Sequence, residues 1–238
     1  MAASSTSDAP TLASGQSVSC CRLDLVGRVA VITGASRGIG LANALHLAVR
    51  GCSILGTCTN EASLELISSV LDSEVTQSYK GTARQRPIQL RIKGLIADLF
   101  SLGCSALIAN QLEEESFNGR VGILINSASD PMSGTIGEMN VQEVQHSLLG
   151  NIQTPVMIVD ELARRRFFQL NSRIIYISSI RSKQPWSRQV SISNRTHSES
   201  GTVLLMYAAG KSAGESLCRT WAQAFGGKEE KICCQHTT

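Results

Sequence analysis

An α/β fold, a doubly wound parallel sheet in a single domain, is predicted by three features of the chain. Short apolar β-rich runs alternate with stretches whose apolar residues recur at helical spacing, which is the pattern of βα units. The runs are apolar along their length rather than on every second residue, as strands covered on both faces are. The 238 residues are enough for one α/β domain with a large core and crowded for two.

Residues 1–24 are rich in Ser and poor in large apolar residues, so they read as a disordered tail ahead of a domain spanning 25–227. Arg28–Thr33 predicts the first strand, and Gly38–Arg50, with Ile39, Ala42, Leu45, Leu47 and Val49 at helical spacing, the first helix. Ser53–Thr57 is a second strand, Ala62–Leu71 a helix and Ile88–Ile96 a third strand. Leu102–Phe117 follows as a helix, Val121–Asn126 as the fourth strand and Val141–Phe168 as a long helical stretch. Arg173–Ser178 is the fifth strand and Ala208–Phe225 the last helix. Residues 181–206 are polar, Ser-rich and aperiodic, so they read as a loop or insertion. No further strand is read after Phe225, and 228–238 is expected to be a tail.

Composition narrows the function. Net charge is +3, 17% of residues are charged and 4% are aromatic. That leaves neither the basic field nor the stacking platform that nucleic-acid binding needs, and small-molecule chemistry is expected instead. Eight cysteines occur with no C-x-x-C or metal-ligand spacing, so reduced thiols in a cytoplasmic protein and no metal site are expected. The Ser/Ala/Thr-rich start resembles neither a secretory signal nor an anchor, and no apolar run approaches the roughly 18 residues of a membrane span. Asn194-Arg-Thr196 matches a glycosylation sequon, which carries no weight in such a protein.

Four separated motifs carry the chemistry: Thr33-Gly-Ala-Ser-Arg-Gly-Ile-Gly40, Asn126-Ser-Ala128, Ile177-Ser-Ser179 and Tyr207-Ala-Ala-Gly-Lys211. Gly34, Gly38 and Gly40 fall where a chain must bend sharply between strand and helix and approach a pyrophosphate; the helix N-terminus behind them presents free N–H groups and a positive dipole end. Their G-x-x-x-G-x-G spacing differs from the general G-x-G-x-x-G fingerprint. Taken alone, the turn also reads, with less weight, as a glycine-rich βα connection with no ligand, and a Tyr/Lys pair at i, i+4 is usually a solvated helix face.

In this order, however, Thr-Gly-x-x-x-Gly-x-Gly and Tyr207-x-x-x-Lys211 resemble the short-chain dehydrogenase/reductase family over roughly 26–225. The resemblance implies a Rossmann-type sheet and NAD(P)-dependent interconversion of a carbonyl and a secondary alcohol. Reduction leaves an alkoxide that needs a proton. A free tyrosine, with pKa about 10, releases its proton too reluctantly, and a cation one helical turn away lowers that value. Tyr207 is therefore the expected proton donor and Lys211 its tuner, and Lys211 is also implied to hold the nicotinamide ribose. By resemblance Ser179 donates a hydrogen bond to the substrate oxygen, with Ser178 as competitor, and Asn151 anchors a proton-relay water.

The cofactor residues implied are Gly34, Ser36, Arg37, Gly38, Ile39, Gly40, Asp98, Asn126, Tyr207 and Lys211, with Asp98 near the adenine. Leu55–Asn60, at the end of the second strand, holds no acid to repel a 2′-phosphate, and Arg37 is placed to pair with one, so NADP(H) is favoured over NAD(H). A small or medium carbonyl is the implied substrate, for instance a secondary-metabolite or polyketide ketone, with a 3-oxoacyl thioester as runner-up. The resemblance also implies a possible homo-oligomer, associating through the two long helices.

The chain departs from the family pattern in three places. Asn126-Ser-Ala-Ser129 stands where the family has Asn-Asn-Ala-Gly. Ser179 and Tyr207 are 28 residues apart, more than usual, which makes 181–206 either a substrate lid or an unselected insertion. The family's last strands are expected to be missing after Gly227, leaving Arg173–Ser178 as an apolar sheet edge. The missing strands and the altered Asn126 segment support an alternative to the enzyme, an inactive, truncated dinucleotide- or partner-binding protein.

Overall fold

The computed structural model of the protein describes residues 22–80, 82–132, 137–184, 205–227 and 231–237. The expected tail up to residue 21, residues 185–204 of the expected loop, and the sequon lie outside the described residues. The elements run in order β1 (Val29–Ile32), α1 (Gly38–Val49), β2 (Ser53–Cys58), α2 (Glu61–Glu65), α3 (Asp72–Tyr79), β3 (Ile92–Ile96), α4 (Cys104–Glu113), β4 (Val121–Asn126), α5 (Val141–Leu148), α6 (Thr154–Arg164), β5 (Phe168–Ile177), α7 (Leu205–Gly226) and β6 (Cys233–Thr237). One π-helical turn, Leu66–Leu71, joins α2 to α3 and another, Leu149–Gln153, joins α5 to α6.

The six strands form one sheet in the order β3-β2-β1-β4-β5-β6, and each neighbouring pair is parallel. Side chains on successive strand residues point to opposite faces, and both faces are apolar. In β1, Val29 and Val31 join the core under α4 and α6, with Ile108, Leu112, Ile158 and Leu162. Ala30 and Ile32 join the opposite core with Ala44, Ala48, Ile67 and Leu71 from the helices after β1 and β2. This two-sided demand is why the strands read as continuous apolar runs. The strand order reverses direction between β1 and β4, and in open α/β sheets that reversal opens a crevice at the carboxyl ends of the strands.

Two expectations are corrected. The long helical stretch ends at Arg164, short of Phe168. Arg166 takes a left-handed conformation (φ 58°) that stops the helix, and Phe167 and Phe168 turn into the core. Strand β5 therefore starts five residues earlier than Arg173, and its register against β4 shifts between Val121 and Ile123. The Ser172 hydroxyl, 2.8 Å from the Val121 carbonyl and 2.5 Å from that of Gln169, ties down the irregular segment.

The second correction concerns 228–238, expected as a tail. Residues Cys233–Thr237 form β6 and pair with Arg173–Ile177, so β5 is covered on that side and is not a sheet edge. Ile232 is buried in the core beneath, and the Ser178 N–H donates to the Thr237 carbonyl at 2.7 Å. Gln235, His236 and Thr237 dilute the apolar signal, because a strand with one described neighbour and a half-exposed face needs little apolar side chain.

Candidate active site

A cleft of about 810 Å³ opens at the carboxyl ends of the strands. Segments following five strands line it: Gly34–Gly40 after β1, Cys58–Asn60 after β2, Asp98–Phe100 after β3, Ser127–Pro131 after β4 and Ile177–Ser178 at the end of β5. Tyr207 and Lys211 reach it from α7.

The turn after β1 is built by local constraints. Gly34 and Gly38 adopt positive φ (68° and 55°), which L side chains rarely take. A Cβ on Gly40 would lie 2.2 Å from the Gly34 carbonyl oxygen, so only glycine lets the first turn of α1 lie against the loop. The Gly34 N–H donates to Thr57 Oγ1 at 3.2 Å and the Ala35 N–H to the Thr57 carbonyl at 3.0 Å, anchoring the loop on β2. Thr33 Oγ1 receives the N–H groups of Ser127 and Ala128 at 3.0 and 3.1 Å, locking the β1 and β4 exits together. An anion placed against the N-terminus of α1 would meet unpaired N–H groups and the positive dipole end.

Ser36, Arg37, Ile39 and Asp98 also line the cleft. Asp98 Oδ1 accepts the Phe100 N–H at 3.0 Å, which shapes the turn after β3. At the β2 end the wall is Cys58, Thr59, Asn60 and Ser63, with no carboxylate among them. Asn126 is different: it is buried at the end of β4, its amide nitrogen and oxygen have no hydrogen-bond partner, and it does not line the cleft, although Ser127, Ala128 and Ser129 do.

Lys211 is 2% exposed, and burial pulls its pKa down to about 8. Its Nζ donates to the Ile177 carbonyl at 2.6 Å and lies 5.5 Å from the Tyr207 ring centre and 5.1 Å from that of Tyr176. Helix α7 seats closely on β5 because Gly214 leaves room for the Tyr176 ring; a Cβ there would come within 2.2 Å of it.

The serine pair divides. Ser178 lines the cleft, but its hydroxyl donates to Glu215 Oε1 at 2.6 Å. Ser179, half-buried and not among the residues lining the cleft, caps the short 3-10 turn Ile180–Ser182 by accepting the Arg181 N–H at 3.3 Å, which leaves its hydroxyl hydrogen to donate. Asn151 sits in the π turn beneath the cleft and not in its wall. Its Oδ1 accepts the Asp130 N–H at 2.8 Å, and its Nδ2 donates to the Asp130 carbonyl at 3.1 Å and Ser147 Oγ at 3.1 Å. Its own carbonyl accepts the Tyr176 hydroxyl at 3.2 Å. The side chain thus clamps the loop after β4 onto the bulged helix.

Sequence reasoning overlooked Phe100, Asp130, Tyr176 and Glu215. Only Glu215 left a signal, since at i+4 from Lys211 it must share that face of α7. Among the described residues no helix is long and apolar enough to cross a membrane, and no group of three His, Cys, Asp or Glu gathers as metal ligands.

Comparison with known proteins agrees with this geometry. The profile of the short chain dehydrogenase family matches residues 28–235. NADPH-dependent aldehyde reductase 2, chloroplastic, of Arabidopsis thaliana is 28% identical over 94% of the chain and 76% of its own length. L-xylo-3-hexulose reductase of Hypocrea jecorina is 26% identical over 83% of the chain and 62% of its own length. The chain thus spans less than two thirds of that second relative. Among solved structures, a blue fluorescent protein from a metagenomic library, in complex with NADPH, superposes with TM-score 0.70 at 23% identity, covering 90% of this chain and 74% of that one. Sheet order, glycine turn, the Tyr207–Lys211 helix and the family match converge, and the chain belongs to the short chain dehydrogenase family.

Proposed function

We propose that the protein is an NADP(H)-dependent reductase that interconverts a small organic carbonyl and its secondary alcohol. One observation carries the reading: the glycine turn at the N-terminus of α1 and the Tyr207–Lys211 pair of α7 line the same cleft. The donor set fits a dinucleotide: the N–H groups at the start of α1 would take the pyrophosphate, Asp98 would contact the adenine and Lys211 would hold the nicotinamide ribose, and all of these segments line the one cleft. Arg37 lines the same cleft as a β2 exit of Cys58, Thr59 and Asn60 that holds no carboxylate, which supports a 2′-phosphate over a 2′-hydroxyl.

The bound cofactor supplies the hydride. Tyr207 protonates the oxygen that gains charge as the carbonyl is reduced. Lys211, in its ammonium form at neutral pH, stabilises the phenolate left on Tyr207. Ser179 donates a hydrogen bond to the same substrate oxygen, stabilising charge as it develops. Asn151 acts at one remove, by holding the Asp130 segment that forms the cleft wall. The relatives named for aldehyde and hexulose reduction favour aldehydes and ketoses as first substrates.

The test is cofactor binding by thermal shift, followed by NADPH oxidation with a panel of aldehydes, ketoses, aromatic ketones and a 3-oxoacyl thioester. The expected result is tighter binding of NADPH than NADH, turnover on at least one carbonyl, and loss of turnover with retained NADPH binding in Tyr207→Phe. Binding without turnover across the panel favours a non-catalytic dinucleotide-binding protein. No binding of either cofactor to the folded chain overturns the reading.

A further inference from the structure

Helix α7 grips the turn after β5 at three successive points. Lys211 Nζ donates to the Ile177 carbonyl at 2.6 Å, Ser212 Oγ to the Ser182 carbonyl at 2.8 Å, and Glu215 Oε1 accepts the Ser178 hydroxyl at 2.6 Å. Ser182 Oγ also lies 2.6 Å from Glu215 Oε1 and 2.7 Å from the Ser179 carbonyl, so its single proton is shared between those acceptors. Glu215 is 7% exposed, and the two serine hydroxyls hold its carboxyl below the usual carboxylate range. As an ionised carboxylate it can only accept, so Ser178 must donate to it and has no proton left for a ligand in the cleft. A buried carboxylate is costly without such partners, and here it is coordinated by the residues immediately before and three after Ser179.

Resting on the reductase reading above, we infer that Glu215 is a positioning residue. By fastening Ser178 and Ser182 to the helix that carries Tyr207 and Lys211, it fixes Ser179 relative to Tyr207 and leaves Ser179 as the serine with a free proton. Elements as separate in sequence as a strand exit and a helix drift independently unless bonded, and a catalytic group misplaced by about 1 Å costs on the order of 100-fold in rate.

The experiment compares wild type with Glu215→Ala, Glu215→Gln, Ser179→Ala and the Ser179→Ala/Glu215→Ala double variant, reading kcat, KM, NADPH affinity and melting temperature. Glu215→Ala is expected to lower kcat by roughly 10- to 100-fold with NADPH affinity within about twofold of wild type. Glu215→Gln, whose amide oxygen accepts both serines, is expected to restore kcat to within about threefold of wild type. The double variant is expected to be no slower than Ser179→Ala, because Glu215 acts only through Ser179. A general structural role gives additive losses in the double variant instead, and that result overturns the inference, as does wild-type kcat in Glu215→Ala. If Glu215→Ala fails to fold, Glu215→Gln and its double variant with Ser179→Ala decide: a Glu215→Gln loss beyond tenfold, or additivity, sinks the role. Absence of wild-type turnover on every carbonyl overturns the reductase reading and the positioning role with it, whereas an active wild type with an indifferent Glu215 overturns the positioning role alone.

Discussion

Replacing Lys211 with methionine separates the cost of burying a cation from its use. Lys211 is 2% exposed, and its pKa falls from 10.5 to about 8, which corresponds to about 3 kcal/mol favouring the neutral amine in the folded chain. Against that stands the bond from Nζ to the Ile177 carbonyl at 2.6 Å, worth roughly 1.5–3 kcal/mol for a charged donor. At pH 7 Lys211→Met removes both, and methionine fills a similar volume, so the variant is expected to match wild-type stability within about 1.5 kcal/mol. The pH dependence gives a sharper test. Because the folded pKa is depressed, the penalty is fully present below about pH 8 and is relieved as pH rises towards 10.5, where the unfolded chain also loses its proton. Between pH 7 and pH 9.5 this group alone should stabilise wild type by about 2 kcal/mol, and the methionine variant should lack that gain. Urea unfolding of both proteins at both pH values measures it, since other titrations cancel in the difference of differences. A difference below about 0.5 kcal/mol would refute the buried, easily deprotonated lysine. Turnover should run the other way, falling by at least about 100-fold in Lys211→Met, and in wild type falling above about pH 8 as the ammonium is lost.

Three further outcomes are expected. Gly40→Ala must push a Cβ that starts 2.2 Å from the Gly34 carbonyl oxygen, at a cost of about 1–3 kcal/mol, so isothermal titration should show NADPH affinity reduced by roughly 5- to 150-fold. Arg37→Ala should weaken NADPH by about tenfold and leave NADH unchanged, which parallel titrations would show; equal effects on both cofactors would remove Arg37 from the 2′-phosphate. Asn151→Ala strips partners from the Asp130 N–H and carbonyl and is expected to destabilise the chain by about 1–3 kcal/mol, with faster hydrogen exchange at Asp130 than in wild type; unchanged exchange there would contradict the clamp.

The βα alternation, the parallel sheet, the glycine turn and the Tyr207–Lys211 pair were legible in sequence because each rests on local constraints. A strand covered on both faces must be apolar throughout, a loop lying against its own helix start must have glycine at Gly40, and residues four apart on a helix share a face. Strand β6 was illegible because a short strand of mixed polarity, with only Cys234 packed against the core, is held largely by pairing with β5 and by α7 beneath. The early start of β5 was hidden by Arg166, a residue with no turn signature that the chain nonetheless bends through a left-handed conformation.

Periodicity and spacing are properties of neighbours along the chain, so they revealed the alternation of elements up to α7 and the glycine-turn and Tyr207–Lys211 motifs that line the cleft. Which serine keeps its proton, how far Lys211 is desolvated, and that Asn151 clamps Asp130 while Asn126 stays inside were decided only by the tertiary structure. The physical reason is that hydrogen-bond partners and dielectric surroundings come from residues tens of positions away, as with Glu215 on α7 and Ser178 at the end of β5, and nothing in either segment alone announces the other.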